Sequence, residues 1–329
     1  MSDVYNHYFC GIDTISYLPH PIKNSLDKPL FLLGTQGADI FFYYNILNWK
    51  HPVPYGTLIH HKKINLFFYH FLEYIQSEND IIYKNKLYSY FLGFICHHAL
   101  DRFTHPFIIY HCGIQKSRGK EANVYKYMHK KLEILLDVAL LKYKYNFQAN
   151  QYNIQNIFKL PKEDYLLIEK LYQYVIFWTY GINFLKESAE KSVKIQGIIL
   201  SFLKNNSTFI KTLIKSAEKL FSIQGYITTG MYPNETDIEV ILNLDHHQWM
   251  HPCNNQLVFD LSYVDLFNKS IEDAVYKIKA VDQLKDNPFD LYLMNDLFHD
   301  ISYNTGLPCS EPWELKFYDK KFADMLLTL

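Results

Sequence analysis

Apolar positions recur at helical intervals along most of this chain. Between Ile64 and Gln76, residues Leu66, Phe67, Phe71, Leu72 and Ile75 fall at i, i+3 and i+4 spacings, which predicts an amphipathic helix. Leu87–Thr104 is nearly continuous in apolar residues and reads as a central helix buried on all sides. Pro106 disfavours helix at Thr104-His105 and sets the expected end of that element. Glu121–Leu141 carries Leu132, Leu135, Leu136, Ala139 and Leu140 along one side. Further helices are expected at Glu163–Phe184, Ala189–Lys204, Phe209–Phe221, Tyr263–Leu284 and Lys316–Leu327. Before Leu58 the pattern is broken by Gly34, Gly37, Pro52, Pro54 and Gly56, so this region is expected to wrap the helices as loops. Gly225–Leu261 is also irregular, with Glu239–Leu244 as a short strand. The expected fold class is all-α, a multi-helix bundle. An Asn- and Gln-rich stretch near 146–162 has no clear period. It separates an N-terminal unit, 1–145, from a helical C-terminal region, 146–329, packed on it.

Composition narrows the function classes. Apolar residues make up 49% of the 329, which supplies a substantial core and argues against disorder. Gly and Pro number 12 each, too few for a turn-rich all-β fold. Formal net charge is −1 and no long basic block stands out, so a duplex nucleic acid is not an expected partner. Cys10, Cys96, Cys112, Cys253 and Cys309 form no C-x-x-C pair and are odd in number, which argues against a disulfide framework and a thiolate zinc site. The start, Met1-Ser2-Asp3-Val4-Tyr5-Asn6-His7, lacks the basic and apolar runs of a signal peptide. The most apolar stretches fall far short of the ~20 residues that span a bilayer. The expectation is a soluble cytoplasmic protein.

The 15 histidines are unevenly placed, and the central helix holds the most telling ones. In His97-His98-Ala99-Leu100-Asp101-Arg102-Phe103-Thr104-His105, the residues His97, Asp101 and His105 are each four apart. On a helix that spacing stacks a carboxylate between two imidazoles on one stripe, about 6 Å apart per step. Burying three such groups without partners is costly, and a metal ion answers the cost, since imidazole nitrogen and carboxylate oxygen are zinc's normal non-sulfur ligands. Asp101, in the middle, has two oxygens with which to bridge neighbouring ions. A hydrogen-bonded His–Asp pair kept for packing is the plain alternative, and His98, on another face, reads as a polar core residue.

His129 and Glu133 repeat the i, i+4 pairing on a second helix, and helical bundles assemble metal sites from facing helices. His60-His61, Asp39 in Gly37-Ala38-Asp39, and His7 add further nitrogen and oxygen donors before residue 135. Each is weak alone: Asp39 could equally cap a helix. The aromatic run Phe41, Phe42, Tyr43 and Tyr44 reads as core before substrate groove. Asp245-His246-His247 and His299-Asp300 are similar to fragments of two other phosphohydrolase signatures, but the rest of either site has no counterpart in the chain.

In order, these residues resemble the bacterial zinc-dependent phospholipase C family, whose wider relatives are the single-strand-specific zinc nucleases. The likeness rests on His97/Asp101, His105-Pro106 and His129/Glu133, with Asn6-His7-Tyr8, Gly37-Ala38-Asp39 and His60-His61-Lys62. It looks closest to an intracellular branch, covers the first ~145 residues specifically and the rest loosely. It implies two or three zinc ions in an all-α fold with the metal site between core helices. By that resemblance Asp39, His60, His97 and Asp101 hold one ion; His105, His129 and Glu133 hold a second; His7, with Asp101 bridging, helps hold a third. The motif order favours His60 over His61. In the secreted relatives the processed amino terminus is itself a ligand of the third ion, which this chain, read without a signal peptide, departs from.

The implied activity is metal-dependent hydrolysis of a phosphodiester, with Asp39 as the residue orienting the attacking water. The substrate is a phosphodiester, a phospholipid or a nucleotide. The reading from another class is a non-catalytic helical protein in which the zinc ions are structural.

Overall fold

The computed structural model describes residues 4–47, 52–114, 125, 127–204, 208–220 and 227–329. It is 68% helical, with only one two-stranded sheet among the described residues, and so is all-α.

The N-terminal region is helical, contrary to the expectation of loops. It forms α1 (Val4–Tyr17), α2 (His20–Ser25), α3 (Lys28–Gly34), α4 (Ile40–Leu47) and α5 (Tyr55–His61). Prolines begin helices here: Pro54, expected to break the pattern, immediately precedes α5, and Pro21 and Pro29 occupy first-turn positions of α2 and α3. A first-turn residue has no helical acceptor for its N–H, so proline loses nothing there. Asp27 caps α3 by accepting from the Leu30 N–H at 3.1 Å.

Helix α6 (Ile64–Ser77) matches its predicted span. The central helix α7 runs from Ile81 to Cys112, opened by Asp80, whose carboxylate accepts from the Ile82 and Tyr83 N–H groups. It passes straight through Pro106, where the sequence pattern places its end. The helix survives because Phe107, Ile108 and Cys112 continue its buried surface. Proline cannot supply the N–H that the Arg102 carbonyl would normally receive. That carbonyl is covered by Gly306, at φ +63°, where a Cβ would come within 2.5 Å of it.

Helix α8 (Met128–Tyr145) is shorter than the predicted Glu121–Leu141 element at its start; residues 121–124 and 126 lie outside the described residues. Next come α9 (Lys162–Tyr180), α10 (Ser188–Leu203), α11 (Thr208–Leu220) and α12 (Ile238–Leu242). The last replaces the strand expected at Glu239–Leu244. Asp237 accepts from the Val240 N–H, and this cap outweighs the β-branched composition of so short a segment. Strands β1 (Trp249–His251) and β2 (Asn254–Phe259) pair antiparallel, Trp249 opposite Phe259, with a bulge at Met250/His251. Helix α13 (Tyr263–Leu284) begins where predicted, on a capping box in which Ser262 and Asp265 bond each other's backbone. Helices α14 (Leu291–Phe298) and α15 (Lys320–Thr328) complete the chain.

Helix α7 is the axis of the bundle. Helices α1, α3, α6, α8, α13 and α15 all pack against it. Among the described residues no helix is long and apolar enough to cross a membrane.

Candidate metal centre

Four chain segments converge on one face of α7. His97, Asp101 and His105 lie one turn apart and are 0%, 1% and 7% exposed, so three polar groups are sealed inside an apolar bundle. Around them come His7 from α1, Asp39 from the turn Gly37–Asp39, His60 from the end of α5, and His129 and Glu133 from α8.

Asp101 is the hub. Its Oδ1 lies 3.1 Å from His7 Nε2 and 3.4 Å from His105 Nδ1. Its Oδ2 lies 3.4 Å from His97 Nε2 and 3.5 Å from His60 Nε2. One carboxylate thus faces four imidazoles, two on each oxygen. Asp39 Oδ1 is 3.1 Å from His60 Nε2.

Two groups of donor atoms lie within metal-ligand reach of one another. One is His7, Asp39, His97 and Asp101; the other is His105, His129 and Glu133. In the second, His129 Nε2 is 2.9 Å and His105 Nε2 3.7 Å from Glu133 Oε1. The structure therefore brings together all eight residues singled out from the sequence: His7, Asp39, His60, His97, Asp101, His105, His129 and Glu133. It brings His60 inward and leaves His61 exposed, with Nε2 3.3 Å from Asn304 Nδ2.

Local backbone geometry makes the convergence possible. Gly37 has φ +52°, and a Cβ there would fall 1.9 Å from His97 Cδ2. Glycine alone lets the turn carrying Asp39 lie flat against the His97 ring. Ring orientation is fixed by main-chain acceptors. His60 Nδ1 is 2.7 Å from the Gly56 carbonyl, and His105 Nδ1 is 3.2 Å from the Asp101 carbonyl. An Nδ1–H spent on a carbonyl leaves Nε2 as a lone-pair donor, the form in which histidine binds metals.

The electrostatics are those of an anionic cavity that needs a cation. Burial would raise the Asp39 carboxyl, but the His60 hydrogen bond, followed by the fields of the neighbouring His97 and His60 imidazoles, holds it well below the usual carboxylate range. Burial would likewise raise Asp101, and His105, His97 and His7 override it and hold it well below the usual carboxylate range. Glu133 is held down against burial by His129. Burial would lower His60, but its bonds to Asp101 and Asp39 push it up to about 10, while burial drives His97 down to about 3. His60 is thus protonated in the metal-free cavity and supplies a positive charge there.

The residues fit a metal. Asp39 Oδ2, His97 Nε2, Asp101 Oδ2 and Glu133 Oε2 are sealed from solvent and make no close hydrogen bond among the described residues; Asp101 Oδ2 has contacts of 3.4 and 3.5 Å with His97 and His60, and Glu133 Oε2 has Lys130 Nζ at 3.8 Å. Unsatisfied buried groups of this kind cost about 1–3 kcal/mol each, more when charged, and coordination would relieve all four. The site is not closed all round: the His129 side chain is 36% exposed, against 1% for Glu133 beside it.

Other residues named from the sequence fall outside the centre. His98 is buried with Nε2 3.3 Å from the Ile301 carbonyl, a polar core residue as expected. Phe41 and Tyr43 are core. His246 and His247 are exposed, and His251 is buried with Nε2 2.8 Å from the Thr305 carbonyl. Asp245 and His299 belong to neither donor group.

Two residues escaped the sequence reading. Asp137, one turn beyond Glu133, is fully buried and anchors the start of α1. It accepts from the Asn6 N–H at 2.8 Å, the Tyr5 N–H at 3.2 Å and the Tyr232 hydroxyl at 2.6 Å. The signal was present, because His129, Glu133 and Asp137 repeat the four-residue ladder of His97, Asp101 and His105. Tyr303, from the segment after α14, packs its ring 4.8 Å from His60 and 5.7 Å from His97. Nothing in its local sequence marks it.

Fold and site together define an all-helical protein with two adjacent sets of nitrogen and oxygen donors, one buried and one open at His129, in contact through Asp101 and His105. A family model described as zinc dependent phospholipase C matches residues 6–217, more than half of the chain. The chain belongs to the zinc-dependent phospholipase C family. No curated protein matches it, and no solved structure does.

Proposed function

We propose that this protein is a zinc-dependent phosphodiester hydrolase. The observation that carries the reading is the contact between Asp101 of the first donor group and His105 of the second, because it sets the two groups close enough together for ions held by them to act on one phosphate. His7, Asp39, His60, His97 and Asp101 are the proposed ligands on one side, for one or two ions. His105, His129 and Glu133 are the proposed ligands on the other.

Bound zinc lowers the pKa of water to about 7 and so supplies hydroxide at neutral pH. The remaining work falls to the chain. Asp39, held ionised, is an acceptor able to orient the attacking water, and His60 fixes it by a 3.1 Å contact. The apolar packing of α7 excludes bulk water from the first group. The exposed edge at His129 is the proposed entrance for substrate. The proposed division of labour places the ligands in residues 1–145, with 146–329 packed around them. Five free cysteines, three of them buried, support a cytoplasmic setting.

The substrate class is a phosphodiester, with phospholipid favoured by the family and a nucleotide diester as the other candidate. One observation favours a non-catalytic reading, in which zinc only stabilises the bundle: the first group is 0–3% exposed. The deciding experiment strips the protein with chelator, reloads it with zinc, and assays a chromogenic bis-aryl phosphate, phosphatidylcholine vesicles and a dinucleotide side by side. Metal-dependent turnover that falls by about 100-fold or more in Glu133→Gln supports the enzyme. A zinc-loaded chain inactive on all three supports structural zinc.

A further inference from the structure

A strap formed by residues 299–306, outside the span that matches the family, closes over the ends of α5 and α6. It is tied down at several points. Asp300 Oδ1 accepts from the Ile64 N–H at 2.6 Å, and the Tyr303 N–H donates to the His60 carbonyl at 3.2 Å. The Ile301 and Thr305 carbonyls face His98 and His251. The strap therefore delivers Tyr303 to a fixed place among His60, His97 and His98, with ring centroids 4.8, 5.7 and 4.6 Å away.

Tyr303 is 0% exposed, yet its hydroxyl has no hydrogen-bond partner among the described residues. Four other buried tyrosines do not share this defect. The hydroxyls of Tyr5, Tyr165, Tyr172 and Tyr232 are all hydrogen-bonded. A phenylalanine would fill the same space without stranding a polar atom. A tyrosine phenol, with an ordinary pKa of about 10, keeps its proton at neutral pH, so this buried hydroxyl has a hydrogen to donate.

We propose that the Tyr303 hydroxyl is a hydrogen-bond donor to an oxyanion, the phosphoryl group of substrate or product, held at the metal centre. The role rests on the proposed hydrolase reading and extends it to a part of the chain outside the family match. It makes Tyr303 a residue that recognises phosphate, and the strap the element that positions it.

The test uses the full chain, loaded with zinc, and inorganic phosphate as the probe. Zinc content is measured by mass spectrometry and phosphate affinity by calorimetry, for the native protein and for Tyr303→Phe. Equal zinc content with phosphate bound about tenfold more weakly by the variant supports the role, since a hydrogen bond to a charged group is worth that much or more. Equal zinc and equal phosphate affinity overturn it while leaving the hydrolase reading intact. Loss of zinc in the variant also overturns it, because Tyr303 would then serve the metal. A native chain that takes up no zinc overturns both. Should Tyr303→Phe fold poorly, 3-fluorotyrosine placed at 303 keeps the side chain. A fluorine resonance that moves on phosphate addition only in the zinc-loaded protein supports the role, and an unmoved resonance overturns it.

Discussion

Asp101 Oδ1 and His105 Nδ1 lie 3.4 Å apart, one turn from each other on α7, and this contact joins the two donor groups of the centre. Asp101 faces His7, His97 and His60 on its own side, while His105 turns its other nitrogen toward Glu133. One helical turn thus separates the two donor groups, and the rigidity of the buried helix sets that separation.

The turn that carries Asp39 depends on Gly37. Gly37→Ala places a methyl 1.9 Å from the His97 ring and forces an L-residue to φ +52°. Left-handed strain and overpacking together predict a loss of roughly 2–4 kcal/mol. Urea unfolding of the metal-free chain measures it. A cost under about 1 kcal/mol would mean that the turn can move off His97, and that Asp39 is not held as described.

Asp137 is predicted to matter for a different reason, through the start of α1. Asp137→Ala strands the buried N–H groups of Tyr5 and Asn6 and the Tyr232 hydroxyl. The expected destabilisation is roughly 2–4 kcal/mol, accompanied by weaker zinc binding, because His7 stands one residue beyond Asn6. Unchanged zinc affinity in a destabilised variant would separate Asp137 from the centre.

The metal-free protein should have its stability maximum near pH 6.5. His60 in the folded state is raised to about 10, so the stability it contributes is complete below its unfolded value of 6.5 and is lost as pH climbs toward 10. His97 is lowered to about 3, so stability also falls as pH drops from 6.5 toward 3. Asp39, Asp101 and Glu133, all depressed, add a further loss below the ordinary carboxylate range. Each proton so linked changes stability by about 1.4 kcal/mol per pH unit over its window. Zinc takes the place of the His60 proton, so the alkaline decline should vanish in the loaded protein. Unfolding curves at pH 5, 6.5, 8 and 9.5, with and without zinc, test this. Metal-free stability that stays flat from 6.5 to 9.5 would contradict it.

How much of this was legible in the sequence follows from the range of the interactions. The ladder His97, Asp101 and His105 could be read directly, because four-residue spacing on an apolar helix has one geometric consequence. His129 and Glu133 followed by the same rule, and extending it one more step reaches Asp137. Boundaries set by local chemistry were also readable, as the Ser262/Asp265 capping box shows for α13. The helical N-terminus was not, because proline is ambiguous: Pro29 opens a helix, Pro106 is tolerated inside one, and only tertiary packing decides. Tyr303 was invisible for the same reason. Its place beside His60 is set by a contact between residues 243 apart in sequence, about which neighbouring residues carry no information.

The most direct test of the account is the zinc content of purified, untagged protein, native and Asp101→Asn, by mass spectrometry after equilibration with zinc. Two to three ions per native chain, falling by at least one in the variant while the helical circular dichroism is kept, is the predicted result. Native protein that holds almost no zinc, or a variant that holds as much as the native, would contradict it. The buried ladder would then be a hydrogen-bonded core in which Asp101 bridges histidines and no metals.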